Sequence, residues 1–113
     1  MVWTIEYYSE VVESFIIDEL PKGLQARYFH LTDRMEIYGP NLKEPHTKAL
    51  GNGLFELRLK GSEGIARILY CTVINRKIVM LHGFIKKTDK IHSTNLDIAR
   101  KRMKEVMKNN ADT

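Results

Sequence analysis

Residues 54–85 decide the fold, and they read LFELRLKGSEGIARILYCTVINRKIVMLHGFI. Side chains alternate between two faces from residue 54 to 60, and two further strand-like runs follow at 65–74 and 77–85. The turn signals between these runs, Gly61-Ser62-Glu63-Gly64 and Asn75-Arg76, leave no room for a crossover helix. The stretch therefore predicts an antiparallel meander of three strands.

Upstream of the meander, the sequence predicts one strand and a helical hairpin. Residues 2–8 alternate as a first strand, and Ser9 is placed to cap a helix that ends at Pro21-Lys22-Gly23. A second helix is predicted from an apolar stripe at steps of three and four residues, made of Leu24, Tyr28, Leu31, Met35 and Tyr38. Residues 39–53 show no period and hold two of the three prolines, so they are predicted to be a loop.

A last helix is predicted from about residue 94, with a buried stripe formed by Leu96, Ala99, Met103 and Val106. The predicted fold is thus a single α+β domain over residues 1–113, in the order β-α-α-β-β-β-α. The helical hairpin should cover one face of a small antiparallel sheet. The other face should remain open to solvent, as antiparallel sheets tolerate.

Length and composition exclude several classes of protein. The chain has 113 residues, 43% hydrophobic and 28% charged, which is typical of one globular domain rather than a disordered or fibrous chain. No apolar run is long enough to span a membrane, and the amino-terminal residues lack the layout of a signal peptide. A single cysteine, Cys71, rules out an internal disulfide and fits a reducing cytoplasm. We therefore expect a cytoplasmic protein without a membrane partner.

The net charge of +4 hides a strong asymmetry along the chain. Residues 1–39 carry three basic and seven acidic side chains, a net charge of −4, whereas residues 40–113 carry 15 and seven, a net charge of +8. A basic surface of this kind indicates a polyanionic partner, most often a nucleic acid. An ordinary solvated surface is the alternative reading of the charge taken alone.

Because side chains alternate between the two faces of a strand, the basic residues of the meander are expected on the open face or at its edge. Arg58 and Lys60 lie on the non-core side of the first run, and Arg67 interrupts the apolar second run. Lys86 and Lys87 follow the third run and reach one edge of the sheet. Because an unpaired arginine is costly to bury, Arg67 must either reach solvent or form an ion pair, for which Glu56 is the cross-strand candidate.

Two histidines are candidates for a functional role, each with a plain structural alternative. His82 lies within the third strand and is otherwise a satisfied core residue, whereas His46 lies in the predicted loop close to Lys48 and is otherwise an ordinary surface histidine. Neither the histidines nor Cys71 fall at zinc-binding spacing, so we expect no metal and no other cofactor.

An exposed set of arginines and lysines suits chemistry in which negative charge builds up on a phosphate. Guanidinium groups bind phosphate oxygens bidentately and stabilise a pentacovalent transition state. RNA supplies its own nucleophile, the 2′-hydroxyl group, so such a reaction needs no metal. A sheet that only binds RNA would need the same charges.

Four stretches of the sequence together resemble a known family. Residues 49–58 read ALGNGLFELR, Arg67 is followed by Tyr70, residues 81–88 read LHGFIKKT, and residues 99–102 read ARKR. This series is similar to the phage-derived, HigB-like branch of the RelE/ParE toxins of type II toxin–antitoxin systems. The resemblance covers essentially the whole chain.

The resemblance implies a ribosome-dependent endoribonuclease that cuts mRNA and leaves a 2′,3′-cyclic phosphate. By motif, its catalytic residues would be Arg58, Arg67, Lys86, Lys87 and His46. Residues implied to contact RNA are Lys48, Lys60, Tyr70, His82 and Lys90. The RelE branch has a tyrosine near the C-terminus that this chain lacks after Lys90, so the general acid and base stay open.

The same resemblance implies partners and leaves two other functions open. The partners would be mRNA on the ribosome and a cognate antitoxin that resembles a helix-turn-helix DNA-binding protein. ParE members share the fold and poison DNA gyrase instead. A non-catalytic regulator that binds only an antitoxin or RNA is the third possibility.

Overall fold

Five strands and three helices follow one another in the part of the chain that the computed structural model describes, residues 2–87 and 91–111. The first helix continues directly into a π-helical turn, Phe15–Glu19. In chain order the elements are β1 (Thr4–Tyr7), α1 (Glu10–Ser14), α2 (Lys22–Tyr38), β2 (Thr47–Gly51), β3 (Leu54–Gly61), β4 (Gly64–Val73), β5 (Lys77–Ile85) and α3 (Ser93–Ala111).

The strands form one mixed sheet in the order β1-β5-β4-β3-β2. The predicted meander is confirmed, because β3 pairs antiparallel with β4 and β4 antiparallel with β5. The prediction of a purely antiparallel sheet is wrong, because β1 pairs in parallel with β5, from Thr4 opposite Lys77 to Tyr7 opposite Met80. The helical hairpin and the meander together supply the long connection that a parallel pair requires.

The predicted loop at residues 39–53 contains a fifth strand that the sequence analysis missed. β2 pairs antiparallel with β3, with Thr47 opposite Leu57 and an irregularity between Ala49 and Gly51. Asn52 and Gly53 turn the chain between the two strands with φ values of 54° and 87°. Asn-Gly is the typical sequence of a two-residue hairpin turn, and it was the available signal for this strand.

The helical predictions are confirmed with one exception. The Ser9 hydroxyl accepts a hydrogen bond from the Val12 backbone N–H at 3.3 Å, as expected of an N-cap. In α2 the predicted stripe is buried from Leu24 to Met35, but Tyr38 at its end is 72% exposed. Tyr38 is the last residue of α2, and its side chain therefore lies beyond the edge of the core.

The first hydrophobic core lies between the sheet and the helical hairpin. Residues from alternate positions of the strands meet α1, the π-helical turn and α2 there, and among them are Leu57, Leu59, Ile68, Tyr70, Ile78 and Met80. The hydroxyl groups of Tyr7 and Tyr28 form a hydrogen bond of 2.8 Å within it. This face of the sheet is covered as predicted.

The second face is not open, contrary to prediction, because α3 packs across it. The α3 residues Ala99 and Met103 join strand residues in a second core, which contains Leu54, Leu69, Cys71, Val79 and Leu81. Burial raises the pKa of the Cys71 thiol to about 11. The basic part of this face is therefore reduced to the end where Arg58, Lys60 and Arg67 lie.

None of the helices among residues 2–87 and 91–111 is both long enough and apolar enough to cross a membrane.

Gly83 provides a test of how closely the helices approach the sheet. A Cβ atom on Gly83 would lie 2.8 Å from Cδ2 of Phe15 and 3.0 Å from Cδ1 of Ile68, too close for either ring or methyl group. We expect Gly83→Ala to lower the free energy of unfolding by about 1–3 kcal/mol, because the first core would be overpacked. Urea denaturation followed by circular dichroism measures this change.

Gly61→Ala is the matched control for that substitution. Its Cβ atom would meet only Cδ2 of Leu24, at an ordinary contact distance of 3.4 Å. We expect its free energy of unfolding to stay within about 0.5 kcal/mol of the wild-type value. Equal losses in both variants would contradict the proposed close approach at Gly83.

Candidate functional site

A cavity of about 230 Å³ opens where β3 runs beyond its partner β2. Five of the six residues that line it carry a positively charged or imidazole side chain, and the full set is Arg27, Pro45, His46, Arg58, Lys60 and Arg67. Four of these residues, His46, Arg58, Lys60 and Arg67, are ones that the sequence predicted for the site. We call this feature the basic cavity.

The register between β3 and β4 brings the two central arginines together. Arg58 lies directly opposite Arg67, and both side chains share a face with Glu56, two residues before Arg58 on β3. The Glu56 side chain is only 4% exposed, and its Oε1 atom lies 2.7 Å from Nε of Arg58 and 3.1 Å from Nε of Arg67. One buried carboxylate oxygen thus contacts both guanidinium groups.

Arg67 forms the floor of the basic cavity rather than an exposed patch. It is 8% exposed, and its Nη1 donates a hydrogen bond to the carbonyl oxygen of Ala66 at 3.3 Å. Its Nε lies close enough to Glu56 for an ion pair but is not aligned for a hydrogen bond. Burial lowers the pKa of Arg67, with a smaller contribution from the neighbouring Arg58 charge. The alternative that Arg67 pairs with Glu56 is therefore confirmed, and the same side chain still lines the cavity.

Arg58 is the more accessible of the two arginines, with 26% of its side chain exposed. Its hydrogen bond to Glu56 raises the pKa of Arg58 above the ordinary arginine value. Its Nη1 also donates to Oε1 of Glu44 at 3.2 Å, and the Glu44 side chain is 67% exposed. The buried carboxylate is thus fixed in the sheet, whereas the exposed one can be displaced by a competing anion.

His46 is held at the rim of the basic cavity by its backbone. The Arg58 N–H donates to the His46 carbonyl oxygen at 2.9 Å, which continues the β2–β3 pairing by one residue. Partial burial lowers the pKa of His46, and the positive charges of Arg27 and Arg34 lower it further. The imidazole is therefore neutral near pH 7 and can accept a proton.

Arg27 is the cavity residue that the sequence analysis missed. It lies on α2, one position before the buried Tyr28, and its side chain is exposed. The local sequence gives no sign of its role, because a charged residue beside an apolar stripe is usual on a surface helix. Only the packing of α2 against β3 brings it to the cavity.

Three predicted lysines, Lys48, Lys86 and Lys87, do not line the cavity. The Lys86 N–H donates to the carbonyl oxygen of Ile65 on β4 at 2.8 Å. Ile65 is also the β4 partner of Lys60 on β3. Lys86 and Lys60 are therefore separated by the width of β4. Lys87 follows with an exposed side chain. Lys48 is exposed on β2 opposite Glu56.

The remaining predicted site residues are placed elsewhere or not described. Tyr70 is fully buried in the first core, on the face opposite Arg67, and its hydroxyl donates to the Pro40 carbonyl oxygen. The His82 Nε2 lies 2.7 Å from Oδ1 of Asn95 on α3, and the His82 ring stacks on Phe84. Burial lowers the pKa of His82. Lys90 lies outside the described residues.

No three histidine, cysteine, aspartate or glutamate side chains converge to hold a metal ion anywhere in residues 2–87 and 91–111.

The described residues thus form a small α+β domain with a basic cavity at one end of its sheet, where guanidinium groups are chemically suited to an anionic group such as a phosphate. A model of the phage-derived protein Gp49-like family (DUF891) matches residues 16–104, which include every element from the π-helical turn to most of α3. The chain belongs to this family, which is part of the RelE/HigB-like group of toxin–antitoxin toxins. Membership implies a cognate antitoxin as partner. Among curated proteins, none matches the chain.

The position of Tyr70 predicts a purely structural role for its hydroxyl group. Tyr70→Phe removes the hydrogen bond to Pro40, and we expect a loss of about 0.5–1.5 kcal/mol in the free energy of unfolding. Any growth inhibition by the expressed protein should persist, because the cavity is unchanged. A variant that keeps its stability but loses growth inhibition would show that the hydroxyl acts in the function.

Proposed function

We propose that this chain is the toxin of a type II toxin–antitoxin pair and that it cleaves mRNA on the ribosome in the cytoplasm. The observation that carries the proposal is the basic cavity, which combines three arginines and a lysine with a histidine of lowered pKa. Membership of the Gp49-like family supports the toxin assignment. The antitoxin would be a helix-turn-helix DNA-binding protein.

The scissile phosphate of the mRNA would bind between Arg58 and Lys60. Arg58 would exchange its contact with Glu44 for a phosphate oxygen, because Glu44 is exposed and its ion pair is weak in water. Arg67 would add its charge from the floor, where low solvent access strengthens electrostatic attraction. Arg27 would face the same phosphate from the α2 side.

The reaction would be an internal transesterification. Neutral His46 accepts the proton of the 2′-hydroxyl group, and the 2′-oxygen forms a bond to phosphorus while the bond to the 5′-oxygen breaks. Arg58 and Arg67 stabilise the additional negative charge of the pentacovalent transition state. Lys60 donates a proton to the leaving 5′-oxygen, so the products are a 2′,3′-cyclic phosphate and a 5′-hydroxyl group.

Lys60 suits the role of proton donor because it has no carboxylate partner among the described residues. The Arg58 guanidinium, by contrast, contacts two carboxylates. An arginine also holds its protons too tightly to serve as a general acid. Lys86, Lys87 and Lys48 would bind the mRNA backbone on either side of the scissile phosphate.

The central experiment is expression of the chain without an antitoxin, followed by mapping of mRNA ends. We expect growth arrest and new fragments with 5′-hydroxyl ends, produced only when ribosomes translate the message. Growth arrest with intact transcripts and loss of DNA supercoiling would contradict mRNA cleavage and favour gyrase poisoning. Normal growth would favour a non-catalytic regulator.

Arg58→Ala tests phosphate binding at the site. We expect the rate of cleavage to fall by about 10²–10³-fold, since a donor to the developing phosphate charge is lost. The domain should still fold, because Glu56 keeps Arg67 as its partner. Cleavage is measured with purified ribosomes and a short mRNA.

Lys104→Ala is the matched control, since it removes one positive charge from the exposed surface of α3. Its cleavage rate should stay close to that of the wild type. An equal loss in both variants would mean that overall charge, rather than the cavity, is what matters.

The pH dependence of cleavage tests His46. Its pKa in the folded chain lies below the ordinary value of 6.5, so the neutral base is populated at lower pH than for a free histidine. Cleavage should therefore rise with pH through this lowered pKa and level off at a lower pH than an unperturbed histidine would give. Below that pKa, protonation removes the base.

His46→Gln should remove the acidic limb of the pH profile and slow cleavage by about 10²-fold. The measurement is the cleavage rate at saturating mRNA over a range of about pH 5 to 8. An unchanged limb in the variant would show that another group is the base.

A further inference from the structure

Glu56 is the buried acidic side chain that the proposed reaction does not use. Its side chain is buried, and its backbone is paired on both sides in the sheet, with Lys48 on β2 and Leu69 on β4. Burying a carboxylate is costly unless opposite charges compensate it. Arg58 and Arg67 provide that compensation through a single oxygen atom.

The carboxylate also solves a problem posed by the register of the sheet. Arg58 and Arg67 are direct cross-strand neighbours, and like charges in such a pair repel each other. The Arg58 charge in fact lowers the pKa of Arg67, whereas the Glu56 charge raises it. A negative charge between them lets two guanidinium groups face one cavity.

The contact geometry fixes more than charge. Glu56 lies against the Nε atom of each arginine rather than against its terminal nitrogens. Because a guanidinium group is planar, the hydrogen bond to Nε of Arg58 sets the direction of its Nη atoms. The Nη1 atom of Arg58 then contacts the exposed carboxylate of Glu44, which an external anion can replace. Arg67 is held by the charge of Glu56 and by the hydrogen bond from its Nη1 to Ala66.

We infer that Glu56 is a positioning residue, which holds Arg58 and Arg67 as one preorganised receptor for a phosphate group. Glu56 acts through the two arginines and does not contact the substrate. The inference rests on the proposed function for the identity of that phosphate, which would belong to the mRNA backbone. Preorganised charge stabilises a transition state without reorganisation during the reaction, so the effect belongs in the cleavage step.

Glu56→Gln is the decisive variant, because it keeps the volume of the side chain and an oxygen acceptor but removes the charge. We expect the cleavage rate at saturating mRNA to fall by about tenfold or more, since the guanidinium groups are no longer held. The apparent affinity for mRNA should stay equal or rise, because the cavity becomes more positive. A purely structural residue would instead lower the rate and the affinity together, along with the melting temperature.

A second measurement follows the arginines directly and needs no cleavage. In ¹⁵N-edited NMR spectra of the wild type, the Nε–H signals of Arg58 and Arg67 should be resolved, slow to exchange with water, and shifted by inorganic phosphate. In Glu56→Gln both signals should exchange faster and move toward the bulk arginine position. Glu19→Gln, an exposed glutamate on the π-helical turn, is the matched control and should leave both signals unchanged.

Glu56→Asp keeps the inference testable if the glutamine variant fails to fold. The shorter side chain retains the charge but withdraws it from both Nε atoms, so we expect an intermediate loss of rate. Wild-type rates in a folded Glu56→Gln or Glu56→Asp variant would overturn the inference and leave the proposed function intact. If the wild type cleaves no mRNA but phosphate shifts both arginine signals in a Glu56-dependent way, the proposed function fails and the phosphate receptor stands.

Discussion

The antiparallel register of β3 against β4 determines what each face of the sheet carries. With Leu57 opposite Ile68, apolar side chains point toward the helical hairpin, and with Arg58 opposite Arg67, both guanidinium groups point to the other face. A shift of β4 by one residue against β3 would turn Arg67 toward the first core and separate it from Arg58. Packing of the first core therefore fixes the register, and the register fixes the relative positions of the two arginines in the basic cavity.

The charge cluster built on this register is not explained by stability alone. Buried ion pairs recover their desolvation cost poorly, and apolar residues of similar volume often stabilise a fold as well or better. Glu56, Arg58 and Arg67 nevertheless occupy neighbouring positions on β3 and β4. Their location beside a cavity with a histidine of lowered pKa is the pattern expected of a functional site.

The sequence predicted those parts of the fold that follow from a local period. The meander, the buried side of α2 and the stripe on α3 could all be predicted, because the spacing of apolar residues along a strand or helix reflects which side chains are buried. β2 was missed because two successive residues of this edge strand, Lys48 and Ala49, are both exposed. Its sequence therefore does not alternate between apolar and polar side chains. The parallel pairing of β1 and the docking of α3 depend on contacts between distant segments, which no local pattern reports.

The same limit applies to the site. Arg58 and Arg67 could be predicted because arginine within a strand is conspicuous, whereas Arg27 lies on a helix surface where arginine is ordinary. Tyr70 was assigned to RNA by the family resemblance, and the continuous apolar run around it gives no sign that its side chain faces the helices. Glu56 was predicted only as a possible ion-pair partner of Arg67. The sequence does not show that one of its oxygens contacts both arginines, because this depends on distances between side chains.

The buried position of Cys71 has a chemical consequence for the whole chain. The thiolate is the form of cysteine that reacts with oxidants and disulfides, and a pKa of about 11 leaves almost none of it at neutral pH. Cys71 is also the single cysteine of the sequence and lies inside the second core. The Cys71 thiol is therefore protected from oxidants and disulfides for as long as α3 covers it.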